Sequence, residues 1–230
     1  MTDYVKKNQR FADTYLDRQI DELVRGINAH LDSLLGHNRF GTDTDYVEIE
    51  SDGTIHLVNG ATVFKDVFFP MSPPKTVGAG NPTLVTWNGN LRGFAFAVND
   101  THDFDPQEYP HDAKENATAE WHLHFVSRTN VAAARTIKFQ IEYSHEPDTG
   151  PYLAPVTAEI EYTVPANTPV NTPFRLDVST MTMGKINRQT WVKLTRIASS
   201  GTEPAVDPVI TALHYHYEVD TMGSRQITTK

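Results

Sequence analysis

The sequence predicts a mainly β fold: an antiparallel two-sheet sandwich of jelly-roll type over residues 41–230, preceded by an N-terminal α-helical arm over residues 1–40. Three observations carry this expectation. From Tyr46 onward, short runs alternate apolar and polar side chains with the period of two that a half-buried strand requires. Clusters of Pro, Gly, Asn and Asp separate these runs, and no βαβ unit interrupts them, so the strands are expected to pair antiparallel. Ahead of them, Asp13 to Leu35 is the long stretch with helical periodicity.

In that stretch Leu16, Ile20, Leu23, Ile27, Leu31 and Leu34 recur at steps of three and four, giving one apolar stripe. Asp17, Arg18, Asp21, Glu22, Arg25 and Asp32 populate the other side, and Gly36 stands where a helix C-cap belongs. The stripe serves either a helix packed on its own β domain or an arm that bundles with neighbouring copies. On the second reading Leu16, Ile20, Leu23, Ile27 and Leu31 are the subunit contacts. The heptad spacing slips after Ile27, which argues against a long coiled coil.

The strands follow in order. Tyr46–Glu50 and Thr54–Val58 flank Asp52-Gly53, a two-residue hairpin signal, and Asn59-Gly60 repeats that signal before Ala61–Phe69. Pro70, Pro73, Pro74, Gly78, Gly80 and Pro82 predict an irregular loop, with short strands after it at Thr83–Trp87 and Gly93–Val98. Asn99 to Ala117 is the longest polar stretch and is expected as a solvated surface loop, a second candidate for subunit contact. Further strands are expected at Glu120–Val126, Thr136–Tyr143, Val156–Val164, Thr172–Val178, Thr190–Ala198 and Val209–Val219. In Thr190–Ala198 the buried face is either that of Trp191 or that of Val192 and Leu194.

Composition narrows the function classes. The net charge of −9 argues against nucleic acid or an anionic membrane as partner, since both select basic surfaces. With no cysteine in 230 residues, disulfides, thiolate metal ligands and a cysteine nucleophile are all excluded. No apolar run approaches the ~20 residues of a membrane span, and no secretory core is evident. The chain is therefore expected to be soluble and made in the cytoplasm.

The residues with chemistry to offer lie on two strands. In Glu120–Val126, His122 and His124 share one face while Trp121, Leu123 and Phe125 share the other. In Leu213–Val219, His214, His216 and Glu218 oppose Leu213, Tyr215, Tyr217 and Val219. If the strands are neighbours, His122, His124, His214 and His216 can bind a transition metal, with Glu120 and Glu218 as available carboxylates. The alternative is a set of imidazoles that bond to one another, to backbone or to water on a partly solvated face. The His-x-His pattern resembles that of the cupins, a jelly-roll family, whose likeness implies a metal-dependent enzyme. The chain departs from that family after His124, where Phe125 to Asn130 holds no Glu and the flanking glycines are missing. Trp87, Trp121 and Trp191 raise a third possibility, a carbohydrate-binding module. No nucleophile elbow, phosphate loop or EF-hand spacing occurs, and no cofactor is expected.

A further resemblance rests on Tyr109-Pro110-His111-Asp112, Trp121-His122-Leu123-His124-Phe125 and the closing run His216 to Gln226 with its Asp220-Thr221-Met222-Gly223-Ser224-Arg225-Gln226 segment. In these the chain, over roughly residues 85–230, resembles uncharacterised virion proteins of tailed bacteriophages. The resemblance implies a non-enzymatic structural protein of the particle, in head decoration, collar or connector, or tail. It implies a homo-oligomer, assembled in the host cytoplasm, that docks on capsid, portal or tail proteins, and it carries over no catalytic residue.

Overall fold

The computed structural model describes residues 18–26, 38–50, 53–73, 79–147 and 149–222. The chain divides into two compact units between Thr62 and Val63.

In the first unit, residues 18–26 are helical with every side chain exposed, Ile20, Leu23 and Val24 included. The other expected arm contacts, Leu16, Ile27 and Leu31, lie outside the described residues. Strands β1 (Asn38–Gly41), β2 (Tyr46–Ile49) and β3 (Ile55–Val58) form an antiparallel sheet of their own in chain order. Strands β2 and β3 pair antiparallel as the hairpin signal between them indicates, with Gly53 in the left-handed region at φ 86°, while Asp52 lies outside the described residues. The Asn59-Gly60 signal makes no hairpin. Asn59–Ala61 is a 3₁₀ turn in which the Asn59 amide donates to the Thr44 carbonyl oxygen at 2.7 Å and the Gly60 N–H donates to Asp45 Oδ1 at 2.8 Å. These bonds tie the turn to the β1–β2 loop, and β3 keeps β2 as its partner while β4 pairs elsewhere.

The second unit contains β4 (Val63–Phe69), β5 (Thr83–Asn88), β6 (Leu91–Ala95), β7 (Thr101–Asp103), β8 (Gln107–Glu108), β9 (Thr118–Ser127), β10 (Arg135–His145), β11 (Val156–Val164), β12 (Thr172–Thr182), β13 (Gln189–Ile197) and β14 (Val209–Val219). One sheet runs β12-β9-β14-β6-β5, and β4 pairs β14 beside β6, along Leu213–Val219. The other runs β11-β10-β13-β7, with β8 also on β13. Every strand pair in this unit is antiparallel.

The two sheets close over one core and make a β-sandwich. Alternation sends Trp121, Leu123 and Phe125 of β9 and Leu213 and Tyr215 of β14 inward, against Ile137, Phe139 and Ile141 of β10. Trp121 is at the centre, its ring 5.2–5.6 Å from those of Phe69, Tyr143 and Tyr215. On β13 the inward set is Val192 and Leu194, and Trp191 points out.

The polar stretch from Asn99 to Ala117 is not the solvated loop its composition predicts. It supplies β7 and β8 at the edge of the second sheet and buries Phe104, Tyr109 and Ala113. The Tyr109 hydroxyl lies 2.6 Å from His145 Nδ1, which holds the stretch to β10. Charged side chains on its outward positions hide a short buried series that composition alone does not reveal.

Candidate functional site

Strands β9 and β14 are neighbours, and their register sets His214 opposite His122, His216 opposite Glu120 and Ala212 opposite His124. The aromatic positions of both strands face the core, so all four imidazoles lie on the outer face of the sheet. The flanking strands add two carboxylates. On β4, Asp66 pairs with His216 and Phe68 with His214; on β12, Asp177 pairs with His122 and Arg175 with His124. Two rows thus cross four strands: Asp66, His216, Glu120 and Thr180, then Phe68, His214, His122 and Asp177.

The rings are close enough to bury one another. His122 stacks on His214 at 5.3 Å, meets His216 edge-on at 4.3 Å, and the His124 ring lies 5.1 Å from that of His214. Phe68 caps His214 at 4.8 Å. His122 and His214 are consequently only 4% and 5% exposed on an outward-facing surface. His214 Nε2 and His216 Nε2 are 3.2 Å apart, and Asp66 Oδ1 is 3.2 Å from His216 Nδ1. Asp177 Oδ1 approaches His122 Nδ1 to 2.8 Å, off the line of a hydrogen bond, and Arg175 Nε stands 3.3 Å from the same oxygen. Among the described residues His122 Nε2, His124 Nε2 and His214 Nδ1 are buried without a hydrogen-bond partner.

Burial sets the charge state. It pushes the His214 imidazole down to about 4, and it lowers His122 and His124 with help from the neighbouring imidazoles. These three rings are neutral at neutral pH, the form in which imidazole ligates metal.

Of the predicted site residues, the structure joins His122, His124, His214 and His216 in one cluster. It does not bring in Glu218, whose carboxylate takes the Lys114 ammonium at 2.9 Å. Glu120 stays at the rim, 3.8 Å from His122 Nε2. Sequence reasoning missed Asp66 and Asp177. The signal was there: Val67 and Phe69 inward on β4 force Asp66 outward, as Leu176 on β12 forces Asp177. Only the strand order places those outward positions beside the histidines. The three tryptophans do not make one platform, since Trp121 is core and Trp191 lies on the other sheet. The helix contacts Ile20 and Leu23 belong to the first unit.

No family model matches the sequence, and no curated protein matches it.

Proposed function

We propose that the chain is a non-enzymatic structural subunit of a tailed-bacteriophage particle, built on a jelly roll. The observation that carries the proposal is the pairing of its strands. A jelly roll arises when a long antiparallel hairpin folds over so that four nested strand pairs alternate between two sheets. Here the nested pairs are β4 with β14, β7 with β13, β9 with β12 and β10 with β11. They alternate between the sheets, giving β12-β9-β14-β4 opposite β11-β10-β13-β7, and the β5–β6 hairpin is an insertion at one edge. This architecture recurs in viral shells, in line with the likeness of residues 85–230 to phage virion proteins. The exposed apolar residues Ile20, Leu23 and Val24 on the helical segment suit an arm that clasps a neighbouring copy in a cyclic oligomer.

Native mass spectrometry of the full-length chain tests the assembly part of this proposal. The expected result is one closed oligomer that Leu23→Glu shifts toward monomer, because a charge on the apolar stripe opposes packing between copies. A chain that stays monomeric at tens of micromolar contradicts it.

A further inference from the structure

We propose that Asp66, His214 and His216 bind one divalent transition-metal ion of the zinc class. The proposal does not depend on the particle reading, and it rests on the geometry of three facing side chains. A donor atom from each of these residues lies within 4.8 Å of the other two. The imidazole Nε2 atoms of His214 and His216, at 3.2 Å, have almost the separation of two ligands on one tetrahedral zinc. Zn–N bonds of 2.0–2.1 Å at the tetrahedral angle put ligand nitrogens about 3.3 Å apart.

The surrounding side chains fit that use. Alternation along β14 aims both histidines the same way, and the register with β4 brings Asp66 directly beside His216. Asp66 Oδ1 stands 3.2 Å from His216 Nδ1, so its carboxylate is within reach of an ion held by the two imidazoles, whose Nε2 atoms face each other at 3.2 Å. On the far side Asp177 makes the same approach to His122 Nδ1, and His122 Nε2 is left buried and unpartnered next to the His216 ring. Phe68 against His214 and the exposed Phe64 two residues before Asp66 give the cluster apolar flanks. Two imidazoles and one carboxylate favour zinc, cobalt or nickel over calcium and magnesium, which take oxygen ligands.

The test is titration of the metal-depleted full-length protein with zinc chloride by calorimetry and with cobalt chloride by visible absorption. The expected result is one ion per chain, tetrahedral cobalt bands, and a melting temperature that rises with zinc. His216→Gln and Asp66→Asn, each of which removes one ligand, should both weaken zinc binding by at least about tenfold. His56→Gln, in the separate three-stranded sheet, should leave affinity unchanged. Asp66 is exposed, so its variant reports on binding even if His216→Gln does not fold. Absence of zinc binding overturns the proposal, and so does binding whose affinity survives Asp66→Asn and His216→Gln unchanged.

Discussion

Acidification of the metal-free protein from about pH 7 to about pH 4 is expected to remove about 3 kcal/mol of stability through His214 alone. Its imidazole titrates near 6.5 in the unfolded chain and near 4 in the fold. A group with a depressed folded pKa takes up its proton first in the unfolded state. Its contribution is therefore complete above pH 6.5 and is lost as pH falls toward 4. His122 and His124 are lowered in the same direction, so they add to the loss. The groups facing the cluster act in both directions. Asp66 and Asp177 favour a charged ring, Arg175 opposes one, and each proton taken up makes the next less favourable. Urea unfolding of chelator-treated protein across this range measures the loss. His214→Gln, which cannot titrate, should flatten the pH dependence by about the same 3 kcal/mol. An unchanged slope in that variant contradicts the assignment.

Arg196→Met is expected to destabilise the sandwich by about 3–5 kcal/mol. The guanidinium, 1% exposed, is the most buried charge described in the molecule. One terminal nitrogen donates to the Phe96 carbonyl oxygen and to Asp207 Oδ1, and the other donates to Glu203 Oε2 at 2.6 Å. It thereby fastens β13 to the segment after β6 and to the turn before β14. Methionine fills much of the same space but leaves two carboxylates without their cation and one carbonyl without its donor. Lysine keeps the charge and three donors, but its single nitrogen cannot reproduce the fork by which the guanidinium reaches its acceptors through two separate nitrogens. Combining Arg196→Met with Glu203→Gln and Asp207→Asn should recover part of the loss, since the uncompensated charges go too. Guanidinium chloride midpoints give all of these values. A loss below about 1 kcal/mol for Arg196→Met contradicts a structural role for the triad.

Much of the sandwich was legible because its long strands obey the simplest rule. Val156–Val164 and Val209–Val219 form strands at the bounds their alternation indicates, and the four histidines share a face for the same reason. The sequence leaves open whether β9 and β14 are neighbours, and the register of His214 on His122 shows that they are. What the pattern missed has a common physical origin in tertiary context. β7 and β8 are three and two residues long, too short for periodicity, and exist because β13 offers them an edge. Asn59-Gly60 carries hairpin residues but satisfies its amides on the Asp45 loop. Asp66 and Asp177 are unremarkable in sequence, and gain meaning from lying one strand away from an imidazole. Charge stripes on a strand face can be read locally; which stripe adjoins which cannot.

Quantitative peptide mass spectrometry on density-banded bacteriophage particles, prepared from a lysate in which the chain is detected, tests the proposal that it is a particle component. Its peptides are expected in washed particles, at a fixed copy number that is a multiple of its oligomer size in solution. Particles that lack the chain while the infected lysate contains it rule out that role.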